Sequence, residues 1–115
     1  MTTISKDLIA ATSTPIILAV LNQGESYGYQ IIQKVKEASN GHLQFSDGTL
    51  YPILRKLEDK GFIVSEWRIA ENEKRRRYYN ITEQGRDHFK NEQTSWNIMH
   101  QLIIQLWNQP KTILA

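Results

Sequence analysis

Apolar positions recur at three-and-four spacing in four stretches of the chain, and two shorter runs between them read as strands. The order this predicts is helix, helix, helix, hairpin and one long final helix. Over residues 5–22, Leu8, Ala11, Ile16, Leu18, Val20 and Leu21 supply the contacts of a first helix, which Gln23-Gly24 stops. Pro15 interrupts this run, because it lacks a backbone donor and crowds the carbonyl four residues back. Either the helix kinks there, or Thr14 caps a second helix that begins on Pro15. A further helix is expected over residues 27–38 with Ser26 as its cap, Ile31, Ile32 and Val35 as its apolar stripe, and Ser39-Asn40-Gly41 as its end. A third follows Ser46. Leu50, Ile53, Leu54 and Leu57 share its inner face, and Gly61 stands past its end, where a left-handed cap is favoured. Pro52 fits only near a first turn, which predicts a loose start around Asp47-Gly48-Thr49.

Residues 62–69, with Ile63 and Trp67, and residues 77–81 carry strand-forming side chains. The polar stretch 70–76 between them reads as a hairpin tip. Thr82 then caps a helix with Glu83 in its first turn, running to about Asn108, before Pro110. Three helices followed by a two-stranded wing make a mainly α fold with a β-hairpin, a winged helix-turn-helix. The expected division is residues 1–81 as the DNA-binding domain, whose first helix also serves a dimer, and residues 82–115 as a C-terminal dimerisation helix.

Composition narrows the class. The chain has 115 residues, 40% hydrophobic and 23% charged, which suits one folded domain with a modest core. There is no cysteine, so disulfides, thiolate chemistry and cysteine zinc sites are excluded. No signal-like N-terminus or span-length apolar run is visible, and a cytoplasmic, non-membrane protein is expected. The net charge of +2 is too small to imply nucleic acid by itself, so the placement of charge has to carry that argument.

That placement is uneven. Opposite the apolar face of the third helix stand Thr49, Tyr51, Pro52, Arg55 and Lys56. A guanidinium can bridge guanine O6 and N7, and Lys and Tyr reach phosphates. An exposed helix face often carries such residues without binding anything. The run Lys74-Arg75-Arg76-Arg77 changes the balance, because adjacent cations in a wing favour a polyanion and release its counterions. In the final helix, Phe89, Trp96, Met99, Ile103 and Leu106 recur near three-and-four spacing, with Ile98, Leu102 and Trp107 broadening the stripe. A second copy of the chain is the expected cover; the alternative is that the helix folds back on its own domain. His42, His88 and His100 show no metal-ligand spacing, and no catalytic constellation stands out, so neither an enzyme nor a cofactor or metal is expected.

Ser46-Asp47-Gly48-Thr49-Leu50-Tyr51-Pro52-Ile53-Leu54-Arg55-Lys56-Leu57-Glu58, followed by Lys60-Gly61, resembles the recognition-helix signature of the PadR family of bacterial regulators. Tyr27-Gly28-Tyr29-Gln30-Ile31 resembles the family's element at the start of its second helix, with Tyr27 in place of the usual histidine. Arg77-Tyr78-Tyr79-Asn80-Ile81-Thr82-Glu83-Gln84-Gly85 resembles its wing-to-helix segment. The single final helix, Lys34-Val35-Lys36-Glu37-Ala38-Ser39-Asn40-Gly41 and Ser95-Trp96 resemble a multidrug-responsive repressor of the family's smaller subgroup. The resemblance implies a pore between protomers lined by Trp96 of both chains, with Leu8, Ala11 and Pro15 nearby and Gln93 and His100 flanking the indole. Two such rings can stack a planar guest.

The expected function is therefore a dimeric repressor on double-stranded DNA, released by a small hydrophobic or planar aromatic ligand at the dimer interface. The competing reading is a winged-helix interaction or ligand-binding module without direct gene regulation.

Overall fold

A computed structural model describes residues 3–110; residues 1–2 and 111–115, the outer ends of the two expected domains, lie outside the described residues. Helix α1 spans Lys6–Asn22, and the Ser5 hydroxyl caps it by accepting the Leu8 N–H at 3.2 Å. Pro15 lies inside this single helix, which settles the two alternatives in favour of one continuous element. The carbonyl that Pro15 cannot reach belongs to Ala11, on the exposed side of α1, where water can satisfy it.

The cap of α2 (Gly28–Ala38) is Tyr27, one residue later than expected. Ser26 is instead fully buried in a two-residue strand, β1 (Ser26–Tyr27), with its hydroxyl donating to Gln30 Oε1 at 3.1 Å. The same oxygen accepts the Tyr27 N–H at 3.4 Å, so one glutamine ties strand to helix. The connection to α3 is part of the core, because Leu43 and Phe45 within it are buried.

Helix α3 (Asp47–Asp59) begins sharply, not loosely: Ser46 Oγ accepts the Thr49 N–H at 3.2 Å. Pro52 therefore sits in the second turn. The acceptor it leaves without a donor is the carbonyl of exposed Gly48, which solvent reaches. Leu50, Leu54 and Leu57 are buried as the apolar spacing requires, and Gly61 closes the helix at φ 80°.

Strands β2 (Ile63–Ile69) and β3 (Arg75–Ile81) pair antiparallel from Ile63 opposite Ile81 to Ile69 opposite Arg75, and β1 adds to the other edge of β3. The second strand thus starts two residues earlier than expected. The hairpin tip is the tight turn 70–74, closed by Ala70 N–H donating to the Lys74 carbonyl at 2.8 Å.

Helix α4 spans Glu83–Trp107, with Thr82 Oγ1 accepting the Gly85 N–H at 2.9 Å. Only its first turns join the core. Phe89, expected at a dimer interface, is buried in the protomer's own core with Ile17, Ile63 and Ile81. The expected division at residue 81 thus separates α4 from a core that its own first turns help to close. Beyond Phe89, along the outer arm of α4, no described residue is fully buried, although Glu92 and Trp96 remain half-buried. The molecule measures 69 × 34 × 20 Å with a radius of gyration of 17.3 Å. A compact chain of this length would have a radius near 13 Å, about 2.2·N^0.38. Ile98, Leu102, Leu106 and Trp107 are exposed on this arm, Trp107 by 78%.

Candidate nucleic-acid interface

At about 100° per residue, Pro52 and Arg55 point directly away from the buried leucines of α3. Tyr51 and Glu58 lean toward the wing, and Thr49 and Lys56 lean toward α1. All five expected contact residues, Thr49, Tyr51, Pro52, Arg55 and Lys56, are exposed. Tyr51 also rests over buried Gly28: a Cβ there would stand 2.9 Å from Tyr51 Cζ and overlap its hydroxyl. The far end of a tyrosine can swing aside, so Gly28→Ala is expected to cost under about 1 kcal/mol of stability while displacing Tyr51. Duplex affinity measured beside a thermal melt would check it, with affinity falling and the melt nearly unchanged.

The four consecutive cations do not form one tip cluster. Only Lys74 belongs to the turn; Arg75, Arg76 and Arg77 lie in β3 and alternate across the sheet. Arg75 and Arg77 share the inner face with Tyr79 and Ile81, whereas Arg76 shares the outer face with Tyr78 and packs 4.4 Å over the Tyr27 ring. Arg77 is already engaged. Its Nη2 donates to Glu58 Oε1 at 3.0 Å and its Nε to Ser65 Oγ at 2.8 Å, and Ser65 donates to Glu58 Oε2 at 2.6 Å. This closed triad locks the end of α3 to both wing strands and offsets the Arg77 charge. Each partly exposed contact contributes up to about 1 kcal/mol, so its value lies in fixing geometry. Arg55, Lys74, Arg75 and Arg76 have no ion-pair partner among the described residues.

Trp67 is the residue the sequence reading missed. Named there only as a strand former, it is 56% exposed on the inner face, with the Arg75 guanidinium 5.1 Å and the Arg77 guanidinium 6.0 Å from its ring. Its parity with Ile63 in β2 was the available signal. Together Tyr29, Tyr51, Arg55, Trp67, Lys74 and Arg75 help to line an open groove of about 630 Å³ between α3 and the wing.

The wing is braced from behind by a second ion pair. Arg68 Nη1 donates to Glu25 Oε1 at 2.9 Å, joining β2 to the turn after α1. That contact holds the Glu25 carboxyl below its ordinary range, and burial pushes the Tyr79 phenol above its ordinary range.

The expected ligand-site residues are not gathered into a closed cavity by one protomer. Leu8, Ala11, Gln93 and His100 are exposed, and Pro15 and Trp96 are half-buried. The Trp96 N–H donates to Glu92 Oε2 at 3.1 Å, and Glu92 Oε1 lies 3.3 Å from His88 Nε2.

The winged fold that carries this groove has counterparts among known regulators. Residues 17–91 match the model of the Transcriptional regulator PadR-like family. The chain belongs to the PadR-like family. It is 34% identical over 87 residues to the negative transcriptional regulator PadR of Bacillus subtilis, covering 76% of this chain and 46% of that protein. The chain thus spans less than half the length of that relative. A solved transcriptional regulator from Clostridium thermocellum superposes with a TM-score of 0.80 at 32% identity, over 90% of this chain and 97% of that one. A PadR-family regulator from Eggerthella lenta gives 0.78 at 25% identity, over 90% and 88%. The PadR-like family is one of transcriptional regulators. Among the described residues, no helix of this PadR-like chain is long and apolar enough to cross a membrane.

Proposed function

We propose that the chain is a homodimeric repressor that binds double-stranded DNA in the cytoplasm, with α3 in the major groove and the wing on the flanking backbone. The observation that carries this reading is the groove in which Arg55, Lys74 and Arg75, without ion-pair partners among the described residues, surround exposed Trp67. Arg55, at the crest of α3, is suited to a guanine edge, and Thr49, Tyr51, Pro52 and Lys56 to the neighbouring bases and phosphates. Lys74, Arg75 and Arg76 supply sequence-independent attraction. Trp67 provides the direct test. With Trp96 and Trp107 replaced by Phe, adding duplex should quench the remaining emission, and unchanged emission at saturating duplex would remove the wing from the interface.

Dimerisation is proposed through the arm of α4. Trp96, Ile103 and Trp107 continue the line of Gly85 and Phe89 beyond the protomer core, and Met99, Leu106, Ile98 and Leu102 widen it. An apolar surface of this width on a projecting helix suits burial against its own copy, at about 25 cal/mol per Å² removed from water. Ile98 and Leu102 are 62% and 46% exposed, so replacing both by Glu leaves the protomer core intact. Light scattering should then report half the wild-type mass, with the helical spectrum retained.

A ligand response is proposed at the same arm, as in the drug-responsive smaller subgroup of the family. Trp96 commits its N–H to Glu92, which fixes the ring while leaving its face for stacking once a second copy is opposed. Leu8, Ala11 and Pro15 of α1 would complete the walls, with Gln93 and His100 beside the indole. A planar aromatic dye should quench the wild type, and Trp96→Ala should weaken its binding about tenfold or more, because both stacked rings of the dimer are lost; equal affinities would leave Trp96 as interface packing only.

A further inference from the structure

A second groove runs along the opposite flank of α3. It lies between α1, the connection preceding α3, and α3 itself, and its volume is about 600 Å³. Its floor is mainly aliphatic, with Ile9, Leu43 and Ile53 in it, and its one aromatic lining residue, Phe45, is only 4% exposed. The charged lining residues are Lys6 and Lys56, with no acid among the lining. Neither lysine has an ion-pair partner among the described residues. On α1 the lining residues Ile9, Ala10 and Ser13 lie on the far side of the helix from Leu8, Ala11 and Pro15, given about 100° per residue. The groove is therefore separate from the surface around Trp96.

We propose that this groove binds an amphipathic anion, a medium-chain aliphatic carboxylate, and that occupancy withdraws Lys56 from DNA. The tail would remove the aliphatic floor from water, and the carboxylate would meet two ammonium groups in charge-assisted contacts. A cationic guest is repelled by both lysines, and a flat aromatic finds no exposed ring to stack on. The volume lies within the range of about 300–1,000 Å³ common to small-molecule sites. Lys56 and Thr49 belong both to this groove and to the outer face of α3, so an occupant competes directly with phosphate. The effect on DNA rests on the reading of α3 as the DNA-contacting helix; the site itself does not.

The test titrates decanoate, below its micelle concentration, into the full chain without DNA and follows amide chemical shifts. Saturable shifts at Ile9, Ala10, Leu43 and Ile53 are expected, with Lys6→Ala and Lys56→Ala each weakening binding about tenfold. Ala10→Trp, which fills the groove from an exposed position, should abolish binding while the remaining spectrum stays folded. No saturation, equal binding of decanol or decylammonium, indifference to Ala10→Trp, or shifts centred on Leu8, Ala11 and Trp96 would each overturn the site. In a duplex titration, decanoate should weaken DNA binding by the wild type and not by Ala10→Trp. If decanoate saturates the groove and duplex affinity is unchanged, the coupling is overturned and the site stands. If the wild type binds no duplex at all, the DNA reading and the coupling fall together, and the amide shifts alone judge the site.

Discussion

Replacing Lys74, Arg75 and Arg76 together by Ala is expected to lower affinity for any duplex about a hundredfold near physiological salt and to flatten the salt dependence. Each phosphate contact contributes about 0.9 to the slope of log affinity against log salt, so three lost contacts remove between about 2 and 3. The three side chains have no acidic partner among the described residues, and their removal leaves no buried charge there. Arg77→Ala is the contrasting case. Its charge is offset by Glu58, so the slope should barely move, while loss of the Glu58–Ser65–Arg77 triad should lower the melting temperature by several degrees, as a destabilisation of about 1 kcal/mol does in a domain of this size. Arg55→Ala should cost about 1–3 kcal/mol on the preferred duplex and relax sequence preference. Salt titrations of the variants separate these outcomes. A triple variant with the wild-type slope would show that the wing does not touch the backbone.

The largest effect on stability is expected from Gly85→Ala. A Cβ there would overlap the Phe62 carbonyl oxygen and stand 2.8 Å from Ile81 Cγ1. Neither neighbour can yield cheaply. The Phe62 carbonyl accepts the Thr82 N–H at 3.0 Å, the Phe62 N–H donates to the Leu57 carbonyl at 3.0 Å, and Ile81 is buried in the core. The clash therefore pushes α4 away from the sheet at the point where Phe89 enters the core. A loss of about 4 kcal/mol or more is expected, above the roughly 1–3 kcal/mol typical of core overpacking because the atom met is backbone fixed by two hydrogen bonds. Thermal unfolding would show a fall of 15 °C or more, at about 4 °C per kcal/mol; a melt within a few degrees of wild type would contradict the packing described for α4.

What the sequence made legible was the periodic part. The leucines of α3, the Thr82 cap and the Gly61 stop follow from spacing and local chemistry, and all three stand where that chemistry puts them. Three features were not legible, because non-local contacts decide them. Ser26 reads as a helix cap on local grounds, but pairing with Tyr79 draws it into a strand and hands the cap to Tyr27. Phe89 carries the same spacing as Trp96 and Ile103, and only the meeting of the first turns of α4 with α1 and the core separates core from exposed arm. The cations of 74–77 read as one cluster along the chain; pairing through Arg75 splits them between two faces and assigns one to Glu58. Trp67 was within reach of simple alternation from Ile63, but its exposure depends on how far the inner face of the wing extends past the core.

The central claim is that the groove between α3 and the wing binds duplex DNA with sequence preference. The measurement that tests it most directly is fluorescence anisotropy of a labelled duplex from upstream of the protein's own coding sequence, at two salt concentrations, against a scrambled duplex. Tighter binding to the upstream duplex, weakening steeply with salt for both, is the predicted result. Absence of binding to either duplex at low salt would contradict the claim and leave the winged fold serving a different partner.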